Sequence, residues 1–103
     1  MNIVTFCQID ESLFNPDFSV EYFHSKGESK AKADIAILDI ETIFEYEENK
    51  HDACKDKFVS IAVLEDDDDY EAFKNFGIDA WIRSEELAQI NNLIIQLKDR
   101  FLS

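Results

Sequence analysis

The sequence predicts an α/β fold: a doubly wound, five-stranded parallel sheet in the order 2-1-3-4-5, with abbreviated first and second helices. Three observations predict it. Residues 34 to 40 read Asp-Ile-Ala-Ile-Leu-Asp-Ile, an apolar core bracketed by carboxylates. That run is too short for an ordinary helix and suits a strand buried on both faces, the usual setting in a parallel sheet. Apolar runs alternate with helical or mixed segments, and each connection is too long for a hairpin, which favours right-handed crossovers. The chain also closes on a strongly amphipathic stretch, as a helix covering one face of a sheet would. At 103 residues, one domain spanning 1–103 with a single core is expected.

Taken in order, Asn2 to Cys7 make a first strand, and Phe18 to Phe23 a second, whose period-two alternation suits an edge position. Between them, Gln8 to Asp17 leave room for one or two turns, with Leu13 and Phe14 packed inward. The connection from His24 to Ala33 is either a short helix or a solvated loop. Asp34 to Ile40 form the third strand. Glu41 to Lys57 are strongly charged but carry Ile43, Phe44 and Tyr46, which predicts a short or irregular helix. Val59 to Leu64 form a fourth strand, followed by five consecutive acidic residues, Glu65 to Asp69. Acidic side chains offset the partial positive charge of a helix N-terminus, so this run reads first as a solvated helix start and second as a divalent-metal site. Tyr70, Phe73 and Phe76 recur at intervals of three, and Gly77 stands where a left-handed helix cap is common. Ile78 to Arg83 form the fifth strand. Ser84 is placed as the N-cap of the last helix, whose stripe is Leu87, Ile90, Ile94, Leu97 and Phe101.

Composition excludes several functions. Hydrophobic residues make up 46% of the chain, including nine Phe, so it folds rather than staying disordered. A net charge of −13, from 23 acidic and 10 basic residues, repels phosphate backbones and anionic lipids, which argues against nucleic-acid and membrane binding. No stretch approaches the roughly 20 apolar residues of a membrane span, and the start lacks a signal peptide's basic residues, so a cytoplasmic protein is expected. Cys7 and Cys54 lack Cys-x-x-Cys spacing and read as reduced structural thiols. His24 and His51 sit in polar stretches. The only glycines are Gly27 and Gly77, so no glycine-rich loop supports a nucleotide or flavin cofactor.

In three stretches the chain resembles the receiver domain of two-component response regulators, a flavodoxin-like module. Asp34 to Ile40 is similar to the receiver's third strand, which ends in the phosphoacceptor aspartate, and that position falls on Asp39. Phe76-Gly77-Ile78-Asp79-Ala80-Trp81-Ile82 is similar to the family's Gly-Ala-Asp-Asp-Tyr-Leu run, which puts Trp81 at the aromatic switch position. The last amphipathic helix fits as well. The departures are equally specific. Receivers hold Mg²⁺ with two acidic residues at the end of the first strand, where this chain has Cys7-Gln8; Asp10 and Glu11 join Asp39 in a weak Mg²⁺ site only if their loop folds back. The hydroxyl residue after the fourth strand is replaced by Leu64 or Glu65, and the lysine after the fifth strand falls at Ser84, beside Arg83.

Phosphoryl transfer to a carboxylate needs Mg²⁺ and a cation to neutralise the charge on the transferring oxygens. The resemblance, less those groups, implies a degenerate receiver-like domain that acts in bacterial signalling through protein contact, with no catalysis and no required cofactor. The alternative is a working phosphoacceptor on Asp39 with Mg²⁺. The bland readings are that Asp39 ends a strand and that Trp81 packs in the core. Ile95 and Leu102 lie on a flank of the last helix. With Trp81 and the Tyr70–Phe73 face they would build an apolar patch of the kind that marks interaction sites, with Arg83 and Ser84 at its end. In receivers that side, made of the fourth helix, fifth strand and fifth helix, carries partner binding and dimerisation, so a protein partner or a second copy is expected there.

Overall fold

Isoleucine, alanine and leucine alternate through the centre of the chain, and Ile35, Ala36, Ile37 and Leu38 are all 0% exposed. Such a strand is covered on both faces and must be internal to its sheet. The computed structural model describes residues 1–23 and 32–102; the second helix or loop expected between His24 and Ala33 falls almost wholly outside them. Five strands, β1 (Asn2–Thr5), β2 (Ser19–Tyr22), β3 (Ala33–Asp39), β4 (Cys54–Leu64) and β5 (Ala80–Arg83), form one sheet in the order β2-β1-β3-β4-β5. Every pairing is parallel. The expected fold is therefore observed, with strand ends shifted by at most five residues. β4 starts at Cys54, because Ala33 pairs with Cys54 before a register shift at Ile35.

Period-two alternation divides the core. Ile3, Ile35, Ile37, Ile61, Val63 and Ile82 face one layer, filled by Ile90, Ile94 and Leu97 of α3 (Ile90–Leu97) and by Phe14. Val4, Ala36, Leu38 and Ala62 face the other, filled by Ile43 and Tyr46 of α1 (Ile43–Ala53) and Phe73 of α2 (Asp69–Phe73). Small alanines on this second face leave room for the aromatic rings, among them Phe6 edge-on to Tyr46 with centroids 5.7 Å apart. The abbreviated first helix is a single 3₁₀ turn at Glu11–Leu13, and Leu13 and Phe14 do pack inward. The short or irregular helix expected over Glu41 to Lys57 is α1, a regular helix of 11 residues.

The chain's last segment departs from expectation. Ser84 is not the cap of a continuous helix: it begins a 3₁₀ stretch, Ser84–Gln89, and α3 starts only at Ile90. A π-helical turn follows over Lys98–Leu102. Such a turn holds one residue more than an α-turn, so the inward position after Leu97 moves from Phe101 to Leu102. Phe101 is accordingly 39% exposed, while Leu102 packs against the core. Among the described residues no helix is long and apolar enough to cross a membrane.

Candidate functional site

The two carboxylates that bracket β3 have opposite surroundings. At the amino end, Asp34 accepts hydrogen bonds from the Asn2 amide at 3.0 Å and from Lys55 Nζ at 2.8 Å. Burial pushes its pKa up, but the hydrogen bonds from Lys55 and Asn2 outweigh that and hold the carboxyl below its usual range. At the carboxyl end, where parallel sheets gather ligands, Asp39 meets a threonine in place of a cation. Thr42 gives Asp39 Oδ1 its amide at 3.0 Å and its hydroxyl at 2.8 Å, and the Asp39 amide donates back to Thr42 Oγ1 at 3.1 Å. The exchange is reciprocal, in the manner of a capping box, and it leads directly into α1. Among the described residues no lysine or arginine forms an ion pair with Asp39.

Thr5 pairs with Ile37 in the sheet, so Cys7, two residues on, is level with Asp39. Its thiol is buried, 3.5 Å from Thr5 Oγ1. Burial, above all, drives the Cys7 pKa up to about 11, against the Thr5 hydrogen bond and with further upward pushes from Asp39 and Glu65. A neutral thiol, not a carboxylate, thus stands beside Asp39 just past the end of the neighbouring strand. Cys54 is also free and buried, with its pKa raised to about 12, chiefly by burial.

Asp10 is committed to its own turn, and Glu11 begins that turn beside it. Asp10 Oδ1 accepts from the Ser12 amide at 2.9 Å, which caps the 3₁₀ turn and lowers the Asp10 pKa. Tyr22 of β2 donates its hydroxyl to the Ile9 carbonyl, sealing the loop after β1. Asp10 and Glu11 lie within electrostatic reach of Tyr22 and add to the burial that raises its pKa. Among the described residues no three His, Cys, Asp or Glu side chains are grouped as metal ligands, so the loop does not bring Asp10 and Glu11 together with Asp39.

The acidic run folds as a helix start. Asp69 Oδ2 accepts from the amides of Glu65 and Asp66, each at 3.1 Å. Arg83, at the end of β5, pairs with Asp67 at 2.6 Å, and Glu85 and Glu86 also contribute to its field. Arg83, the cation at the end of β5, is therefore engaged by the acidic loop.

Of the residues expected on an apolar patch beside β5, three are exposed. Trp81 is 37% exposed, Tyr70 41% and Ile95 44%, and the Tyr70 and Trp81 rings meet at a tilt of 49° with centroids 5.2 Å apart. Phe73 is 0% exposed and belongs to the core, because its face of the short α2 points at Ala62 and Leu38. Leu102 is half-buried for the reason given above. Ser84 is exposed at the start of its 3₁₀ stretch. Ile95, on α3, and Trp81, on the side of α2, flank the β5 edge from opposite layers.

Two features escaped the reading of the sequence. Thr42 was signalled by its Asp-x-x-Thr spacing, a reciprocal-turn pattern. Phe44 is 71% exposed and touches Phe76 edge-on at 6.1 Å; no sequence signal marked it, since aromatic residues at helix starts are ordinarily core. Comparison with models of known protein families, with curated proteins and with solved structures yields no match.

Proposed function

We propose that this chain is a receiver-like interaction module in bacterial signalling, which works through protein contact at the α2–β5–α3 side without conventional phosphorylation of Asp39. The observation that carries this reading is the state of the Asp39 carboxylate. Its Oδ1 accepts both Thr42 hydrogen bonds, Cys7 beside it is a neutral thiol, and Arg83 is paired with Asp67. A phosphoryl group there would meet negative charge from Glu65 with no paired cation, the reverse of what stabilises phosphoryl transfer. The exposed Tyr70–Trp81 pair and Ile95 supply the apolar contact surface.

The test is a Mg²⁺ titration followed by the fluorescence of Trp81, the chain's one tryptophan, with and without beryllofluoride, on wild type and Asp39→Asn. No response from a folded protein is expected. A beryllofluoride response that Asp39→Asn abolishes would overturn the reading in favour of a working phosphoacceptor, which the place of Asp39 at the carboxyl end of a central strand favours. On the interaction face, Ile95→Glu and Trp81→Ala should leave the circular dichroism spectrum unchanged while weakening assembly with the partner.

A further inference from the structure

The charge around the Tyr70–Trp81 pair decides what can sit on it. Trp81 and Arg83 alternate with the buried Ala80 and Ile82, so both project from the same side of β5. The tryptophan ring therefore adjoins the field of Asp67, Glu85 and Glu86, which converge on Arg83. One guanidinium among three carboxylates leaves net negative charge beside two partly exposed aromatic rings. β5 is also the terminal strand of the sheet, so this surface is open along one side.

We infer that the Tyr70–Trp81 surface takes a cationic segment of a partner protein, rich in arginine or lysine, and not a second copy of this chain. The inference rests on the reading of this face as the interaction surface. Two terms favour the cation. Guanidinium and ammonium groups bind over the faces of tryptophan and tyrosine rings, and the surrounding carboxylates steer such a segment in and hold it. A symmetric dimer is disfavoured by the same charges. It would set the same patch against itself, doubling the acidic rim between chains that each carry −13.

The test uses the full chain and a dye-labelled synthetic peptide of alternating arginine and leucine, with a glutamine-for-arginine counterpart as control, followed by fluorescence anisotropy at low and at physiological salt. The arginine peptide should bind, shift Trp81 emission and weaken with salt, and the glutamine peptide should not bind. Glu85→Gln with Glu86→Gln should weaken binding about fivefold, and Trp81→Ala about threefold. Glu45→Gln with Glu48→Gln, the same charge change at exposed positions of α1, should leave it within about twofold. Equal loss in both double variants, or no binding at all, would overturn the inference. If wild type sediments as a dimer that Trp81→Ala splits, the occupant is a second copy: the inference falls while the interaction face stands. If no variant changes either peptide binding or sedimentation, both fall.

Discussion

Replacing Thr42 with valine keeps the branched shape and deletes one oxygen, which isolates the contact that distinguishes Asp39 from an open acceptor. Two hydrogen bonds go with that oxygen: the 2.8 Å bond to Asp39 Oδ1 and the 3.1 Å bond from the Asp39 amide. The Thr42 amide still reaches Asp39 Oδ1 at 3.0 Å. A hydrogen bond to a charged group contributes roughly 1.5–3 kcal/mol and a neutral one about 1. Both residues are half-buried, so water replaces part of each bond, and a net loss of about 1.5 kcal/mol is expected. Urea denaturation should show a lower midpoint at unchanged m-value. In a double-mutant cycle with Asp39→Ala, the two changes should be non-additive by about 1 kcal/mol, since either alone breaks the same contact. A loss below about 0.3 kcal/mol, or additivity within that margin, would refute the view that Thr42 locks Asp39. The variant also tests function: with Cys7 neutral and Arg83 paired to Asp67, no Mg²⁺-dependent response to beryllofluoride is expected even with Thr42 Oγ1 gone, and a gained response would show that Thr42 alone keeps Asp39 silent.

The remaining predictions concern the core and its turns. Cys7 and Cys54 ionise at about 11 and about 12 in the fold, against about 8.5 in an unfolded chain. Their folded pKa values are raised, so above pH about 8.5 the unfolded state binds fewer protons, and stability falls with a slope approaching about 1.4 kcal/mol per unit for each thiol. Denaturation midpoints measured from pH 8 to 10 should decline, and Cys7→Ala should flatten the decline. Ser60→Ala removes a buried hydroxyl that donates to Asp79 Oδ2 at 3.1 Å and accepts from the Asp79 amide at 3.1 Å. It should cost about 1.5–2 kcal/mol in urea unfolding, and an unchanged midpoint would mean that the Ser60 amide alone holds Asp79. Gly77 has φ of 65°, with nothing within 4 Å of an added Cβ. Gly77→Ala should therefore cost only the left-handed backbone penalty, about 1–2 kcal/mol in the same assay.

What was legible in the sequence followed from periodicity. The apolar core of residues 34 to 40 marked a strand covered on both faces, and alternation with helical segments was enough to give the parallel order β2-β1-β3-β4-β5. Gly77 was legible because only a left-handed residue ends α2 and its 3₁₀ extension. Burial on short helices was not. Phe73 and Tyr70 share the five-residue α2, and a three-residue offset does not tell which of two aromatic rings faces the sheet. The π-turn at Lys98–Leu102 was invisible to a scheme that assumes 3.6 residues per turn, so Phe101 and Leu102 exchanged roles. At the site, Asp39 was legible as a strand end, but its partner was passed over despite the Asp-x-x-Thr spacing, because strand-end logic looks across the sheet to other strands and Thr42 comes from the same turn.

That locality bears on how Asp39 should be understood. An aspartate leaving a central parallel strand occupies a position fit for chemistry, but the position is shared by acids that only order the turn into the next helix. What separates the two is the source of the donors at its oxygens. Asp34, at the other end of the same strand, draws on Lys55 from β4 and the amide of Asn2 from β1, so its carboxylate ties three strands together. Asp39 draws on one residue three positions along. The first arrangement needs the assembled sheet; the second forms within a single turn. Removing the Asp34 charge should thus weaken the whole sheet, whereas removing that of Asp39 should loosen only the entry to α1. Native-state hydrogen exchange separates them: Asp34→Asn should raise exchange in β1, β3 and β4 together, and Asp39→Asn should raise it mainly at the first turn of α1. Sheet-wide loss of protection in Asp39→Asn would show that this carboxylate has a reach that the Thr42 turn does not give it.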